Sequence, residues 1–417
     1  MGIIRFDNLK PGMVLEENVF DSKGRLLLGK GTPLNETHLK VFASRGIVDV
    51  AIQDVTEKVL FEESKAEIDS SVYNQAVKET REHFQHTNVD QEAISELIQL
   101  CTLRRAKQLQ SVPSGIDTQT LSATLIQQAQ SRKLNHVTPG SLVKDENLEL
   151  PSLPVIYHQI KEVIDKPGSS ALQISNVISN DTSLSAKLLR LVNSAFYGVS
   201  SKVEDLTRAV TMVGTAQIGT LALGITVLSV FKNIPLELIH MKSFWEHSVA
   251  CGIAARKLAE LKQLESQERY FIAGLLHDIG RLIVYQAIPE HGREALLTAR
   301  LSRKLLYETE KEILGFEHAD VGGRALKKWK LPPALQIAVR LHHSPRQSGV
   351  LLEPAIIHIA DILTNAGRFG SSGECFVPPL APGIWAAVGL PVNVLGLTLG
   401  EVEQQLTAIV QFLFPDS

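Results

Sequence analysis

Seven side chains in this sequence could do chemistry together: His247, the adjacent pair His277 and Asp278, His318, the adjacent pair His342 and His343, and Asp361. Imidazole and carboxylate are the donor types that hold divalent transition metals. A mixed nitrogen and oxygen set with open positions suits iron, manganese, zinc or nickel, and the residue types do not choose among them. Each residue lies in an apolar stretch of helical periodicity, such as FIAGLLHDIGRLIV or AIIHIADIL. They come from different helices or helix ends, so only the tertiary fold can bring them together. A single histidine on an apolar helix is ordinarily a core residue with satisfied nitrogens. The set as a whole is harder to explain that way, because a buried Asp278 or Asp361 with neither metal nor hydrogen-bond partner would be costly. His358 shares a helix face with Asp361 and reads as a supporting or packing residue. His158 and His240 have no partner motif, and Trp245 and Trp329 read as core.

The elements that must position these residues are predicted to be helices. In DTSLSAKLLRLVNSAFYG, Asp181 is placed to cap a helix N-terminus, Leu184, Leu188, Leu191 and Ala195 share one face, and Gly198 supplies a stop. Asn193 and Ser194 read as a turn or cap. The segment from Ala209 to Phe231 has no charged residue and reaches the roughly 20 residues that span a bilayer. It nevertheless carries Thr211, Thr215, Gln217, Thr220, Thr226 and Ser229, and Gly214 before Thr215 reads as a helix stop followed by a new N-cap, which predicts two short buried helices. No alternating pattern supports a sheet in this half. Residues 1–55 differ: MVLEENVF and RLLLGKGTPL read as paired strands, followed by a helix over Glu36 to Ser44 and a strand IVDVAI, a small α+β module. Residues 56–110 read as a helical connector whose charge-rich faces are solvated and which could pair two chains. Residues 111–144 read as a Ser/Thr/Gln-rich linker, 145–370 as an all-helical domain, and 371–417 as a helical extension. The fold class is mainly α.

Composition narrows the function classes. The 417 residues carry 42 Lys and Arg against 45 Asp and Glu, for a formal charge of -3. That balance gives no general signal for nucleic-acid binding. The three cysteines, Cys101, Cys251 and Cys375, are scattered and odd in number, which fits a reducing compartment. The start MGIIRFDNLKPGM lacks a secretory pattern, so a cytoplasmic location is expected. No Walker loop, GxGxxG, GxSxG, HExxH or zinc-finger spacing is present, which leaves P-loop and serine-type hydrolysis without support.

Three ordered blocks, LPSLPVIYHQIKEVI, ISNDTSLSAKLLRLVNSAFYG and DLTRAVTMVGTAQIGTLAL, resemble the first half of HDOD domains. FWEHSVACGIAARKLA, FIAGLLHDIGRLIV and FEHADVGGRALKKWKLPPALQIAVRLHHSP resemble the second half and, more distantly, the HD phosphohydrolase superfamily. LKPGMVLEENVFDSKGRLLLGKGTPL resembles the module found ahead of HD-GYP domains. The resemblance implies a helical bundle followed, from about residue 240, by an HD-like bundle, in a bacterial signal-transduction protein whose HDOD domain binds a partner protein or a small ligand such as a nucleotide. It also implies a metal held by His247, His277, Asp278 and Asp361, with His318 and one of the later pair, His342 in the first instance, able to help hold a second. Such ions polarise a phosphoryl group and activate water, so the alternative is a metal-dependent phosphohydrolase. Arg281, in the place of the HDxGK lysine, keeps a positive charge for phosphate contact but cannot serve as a proton donor. Arg281 and His343 are the candidate catalytic residues. HHSPRQSGV lacks the Gly-Tyr-Pro element of HD-GYP enzymes, which argues against cyclic-di-GMP hydrolysis. Ser243 stands where a carboxylate would help a third metal.

Overall fold

The computed structural model describes residues 2–6, 9–21, 24–45, 47, 49–53, 65–111, 150–166, 168–194, 202–231, 234–346 and 351–414. The linker after Ser111, and the expected roles of Ala195 and Gly198, lie outside these residues.

The first module contains β1 (Gly2–Arg5), β2 (Val19–Phe20), β3 (Leu26–Leu28), α1 (Glu36–Ser44) and β4 (Asp49–Ile52). β2 and β3 form the expected antiparallel pair, and β4 pairs antiparallel with β1, Gly2 opposite Ile52. β1 was not foreseen, because its partner lies far along the chain and neither strand alternates for long. Asn35 opens α1 by accepting the His38 N–H. Ile4, Leu15, Phe42 and Ile52 form a small core of their own.

The connecting helices, α2 (Ser70–His83) and α3 (Glu92–Ser111), are built into the main helical body. Phe84, Ile94, Leu97 and Cys101 are buried in its core, and the Gln91 amide donates to the Leu380 carbonyl at 3.1 Å. Arg81 and Glu82 stay exposed, so the solvated face and the docked face belong to the same pair of helices.

A first bundle follows: α4 (Val155–Asp165), α5 (Ala171–Ser179), α6 (Thr182–Val192), α7 (Leu206–Val213) and α8 (Thr215–Leu228). Its caps are legible chemistry. Ser170 and Gln173 form a reciprocal capping box on α5, and Asp181 accepts the Leu184 N–H at the start of α6. Asn193 closes α6, its amide donating to the Leu189 and Val203 carbonyls and its oxygen accepting the Val203 N–H. The uncharged stretch breaks at Gly214, where the chain bends by 114° from α7 into α8. The N-cap there is Gly214 itself, at φ 105°, rather than Thr215, which is the first residue of α8. Among the described residues no single helix is long and apolar enough to cross a membrane.

The second bundle contains α9 (Met241–Leu261), α10 (Gln267–Leu276), α11 (Ile279–Ala287), α12 (Pro289–Ser302), α13 (Leu306–Leu314), α14 (His318–Lys328), α15 (Pro333–Arg340), α16 (Leu352–Gly367), α17 (Ile384–Val388) and α18 (Val394–Leu413). α9 lies at its centre against α10, α16 and α18. The indole of Trp245 stacks on Phe414 with centroids 4.4 Å apart, and the Tyr157 hydroxyl donates to the Trp329 carbonyl at 2.6 Å, joining the two bundles. Two glycine contacts set the spacing that the site needs. A Cβ on Gly274 would sit 2.7 Å from the Cys251 carbonyl oxygen, so α9 and α10 touch backbone to backbone. A Cβ on Gly280 would sit 2.0 Å from the His318 carbonyl oxygen, which lets α11 seat directly against the start of α14.

Candidate metal centre

Five elements deliver the constellation to one place. His247 lies within α9, His277 and Asp278 occupy the turn between α10 and α11, His318 begins α14, His342 and His343 follow the end of α15, and Asp361 lies on α16. His247, His277, His318 and His342 have no exposed surface, and Asp278 and Asp361 are buried. The His247 Nε2 lies 3.3 Å from His277 Nε2, 3.5 Å from Asp278 Oδ2 and 3.3 Å from Asp361 Oδ1. The His277 Nε2 lies 3.3 Å from Asp278 Oδ2 and 3.4 Å from Asp361 Oδ1. On the other side of the same carboxylate, His318 Nε2 stands 2.7 Å from Asp278 Oδ1, with His342 Nε2 at 3.9 Å. His343 Nε2 is 3.2 Å from His318 Nε2. His247, His277 and Asp278 thus form one group whose donor atoms lie within 4.8 Å of each other, and His318, His342 and His343 form a second, with Asp278 between them.

The surroundings fix which nitrogen of each ring faces inward. His277 Nδ1 lies 2.7 Å from the Gly274 carbonyl and His342 Nδ1 2.6 Å from the Val339 carbonyl. A carbonyl can only accept, so both Nδ1 atoms carry the hydrogen and both Nε2 atoms turn to the centre. His318 Nδ1 is 2.5 Å from the Glu310 carboxylate, which also accepts the His318 main-chain N–H. The Arg281 Nε–H also approaches that Nδ1, at 3.3 Å, but the shorter carboxylate bond decides the tautomer. The Asn365 amide donates to Asp361 Oδ1 at 2.8 Å. This is the arrangement in which outer partners orient metal-binding imidazoles and carboxylates.

Charge is dense here. Burial works to raise the Asp278 pKa, yet Arg281, His277 and His318 hold it well below the ordinary range; burial likewise opposes His247 and His277 at Asp361, which also ends low. Burial and the Arg281 charge work against protonation of His318, but Glu310 and Asp278 push its pKa up to about 9. His277 is raised as well, its burial outweighed by Asp278 and other neighbours. Burial, reinforced by the charges on His277 and His318, pushes His342 down to about 3. The donors fit a divalent cation. Metal ligation by these side chains requires neutral imidazole and ionised carboxylate, so a bound cation would compete with protons on His277 and His318, whose pKa values are both raised. The buried His342 Nε2 and Asp278 Oδ1 make no hydrogen bond of good geometry, and a cation gives both a partner.

Other candidate residues divide. Arg281 is itself buried, and its guanidinium donates to Asp278 Oδ2 at 3.3 Å and to Ser372 while facing Glu310 Oε1 at 3.4 Å, so it braces the cluster from within. His343 is half-buried beside His318, in the position of a donor. His358 uses both nitrogens: Nδ1 donates to the His342 carbonyl at 2.7 Å and Nε2 accepts the Ala381 N–H at 3.0 Å. It supports His342 and has no free donor. Ser243 lends its carbonyl to the Ser371 N–H. His158 and His240 are exposed, and Trp245 and Trp329 are core. Glu310, Ser372 and Tyr307, whose ring lies on His343, escaped the sequence reading.

The fold and cluster together define a mainly helical protein with a buried histidine and aspartate cluster. Residues 150–345 match the HDOD domain family, so this part of the chain is an HDOD domain. It is 27% identical over 254 residues to an uncharacterized protein of Treponema pallidum, a match covering 60% of this chain and 45% of that relative. The chain therefore accounts for less than half the length of that relative. Among solved structures it resembles an HDOD domain protein of unknown function from Geobacter sulfurreducens, at 20% identity and a TM-score of 0.52, covering 72% of this chain and 99% of the other. It also resembles a Shewanella amazonensis protein named as a candidate phosphohydrolase, at 22% identity and a TM-score of 0.53, covering 66% and 98%. Likeness at this level concerns the fold.

Proposed function

We propose that this protein is a signal-transduction protein whose HDOD domain holds divalent metal and uses it to bind the phosphate of a small ligand such as a nucleotide. One observation carries the reading: three imidazoles, on His277, His318 and His342, have Nδ1 committed to fixed acceptors and turn Nε2 toward shared carboxylates. His247, His277, Asp278 and Asp361 form the first subsite; His318, His342 and His343 form the second, with Asp278 between them. Bound ions would supply positive charge for a phosphoryl group and activate water. Arg281 holds Asp278 and Glu310 in place rather than reaching for phosphate. Growth with iron, manganese, zinc and nickel in turn, followed by elemental analysis, tests the reading: protein that is folded and metal-free in all four cases overturns it.

A second reading, phosphate-ester hydrolysis, is favoured by His343, which is less completely buried than His318 and His342 beside it. Turnover of nucleotide phosphates that depends on added metal and disappears in His277→Ala and Asp278→Ala supports it. Metal-loaded protein that binds nucleotide without turnover refutes it and leaves the binding role standing. The missing Gly-Tyr-Pro element directs the substrate panel away from cyclic-di-GMP.

A further inference from the structure

One short helix, α13, sends two side chains to the half of the centre formed by His318, His342 and His343. Tyr307 and Glu310 are three residues apart and so share a face of that helix. Glu310 Oε2 accepts from the His318 Nδ1 at 2.5 Å and from its main-chain N–H at 3.0 Å, while Oε1 faces the Arg281 guanidinium. The Tyr307 ring lies nearly parallel to the imidazole of His343, with centroids 4.2 Å apart and planes at 17°. That imidazole also meets His342, with centroids 3.9 Å apart and planes tilted by 47°. His343 is therefore in contact with both rings. The other half of the centre has different supports: the Gly274 carbonyl for His277 and the Asn365 amide for Asp361. α13 is itself secured by the buried Glu374, whose carboxylate accepts the Leu306 N–H at 2.8 Å.

We infer that α13 sets the occupancy of the second metal subsite, with Glu310 and Tyr307 acting as positioning residues for His318 and His343, while the first subsite loads without it. This deepens the two-subsite reading above and rests on it. Glu310 fixes the tautomer that leaves the His318 Nε2 lone pair facing inward, and Tyr307 limits rotation of the His343 ring. Loss of such an outer partner typically weakens metal binding about 10–100-fold.

Manganese(II) titrated into the metal-stripped full chain, followed by calorimetry and electron paramagnetic resonance, tests the assignment. The wild type binds two ions and shows the spin-coupled signal of a neighbouring pair. Tyr307→Ala and Glu310→Gln bind the first ion with wild-type affinity and the second about 10–100-fold more weakly, losing the coupled signal. Tyr307→Phe, which keeps the stacked ring, retains both ions. Circular dichroism establishes that each variant is folded; Tyr307 is only half-buried, so its variants serve if Glu310→Gln unfolds. Two ions at wild-type affinity in both Tyr307→Ala and Glu310→Gln overturn this inference and spare the two-subsite reading. Equal weakening of both ions in a folded variant overturns the independence of the subsites. A wild type that binds fewer than two ions removes the reading and the inference together.

Discussion

Replacing Gly280 by alanine tests the packing role of this glycine, because the added methyl meets main-chain atoms of His318 and Gly322 and not the ring or carboxylate atoms of the cluster. Its Cβ would lie 2.0 Å from the His318 carbonyl oxygen and 2.8 Å from the Gly322 amide nitrogen, both inside the 3.0 Å that real Cβ atoms respect. Both obstacles are backbone, so no side chain can swing aside. α11 and α14 must part by about an ångström to reach that limit. Asp278 and His318 sit at the facing ends of those helices with Oδ1 and Nε2 2.7 Å apart, so the same displacement opens the contact that joins the two subsites. Overpacking of a tight core ordinarily costs about 1–3 kcal/mol, and the upper end is expected where backbone must yield. Urea unfolding of metal-stripped protein gives the stability change. Metal titration under the same conditions gives affinity, and the second subsite should weaken more than the first. A Gly280→Ala protein within about 0.5 kcal/mol of wild type, with unchanged affinity for both ions, would refute the claim that this glycine sets the approach of the two helices.

The metal-stripped protein should lose stability as pH rises from 7 to above 9. The His318 pKa is raised from 6.5 to about 9, so its contribution is full below 6.5 and fades as pH passes through about 9; the linkage is on the order of 3 kcal/mol. Metal replaces the proton, so the loaded protein should show a much flatter profile, and equal profiles measured by thermal melts would contradict the proton-for-metal exchange. Tyr157→Phe strips the Trp329 carbonyl of its buried donor and should cost about 1–2 kcal/mol in urea unfolding without altering metal content. Gly214→Ala forces a side chain onto a residue at φ 105° and against Gln217, and should cost about 1–3 kcal/mol; a neutral result would mean that the bend between α7 and α8 tolerates another backbone path.

The histidines and aspartates that cluster were legible because imidazole and carboxylate stand out in apolar helices, and the bend at Gly214 because glycine interrupts an uncharged run. The supporting residues were harder to see for a physical reason. In LYETEKEIL, Glu308, Glu310 and Glu312 look alike as residue types, and only Glu310 is buried. Helical spacing did carry a signal, since Glu310 falls four residues from both Leu306 and Leu314 and therefore on their apolar face. Arg281 read as a reaching, phosphate-facing cation because its neighbours Glu310 and Ser372 come from distant segments that no local pattern connects to it. The pairing of β1 with β4 escaped for the same reason: its bonds close a loop of nearly fifty residues around short strands. The docking of α2 and α3 depends on partners near Asn365 and Leu380, which local periodicity does not disclose.

Asp361 stands on α16, beyond residue 345, where the family match stops. A shuffled cassette of residues 150–345 would carry every imidazole of the cluster and Asp278 but leave one of the two facing carboxylates behind. The geometry of the cluster thus depends on α16, and a protein that kept residues 150–345 while exchanging that helix would lose Asp361 with His277 and Asp278 still in place.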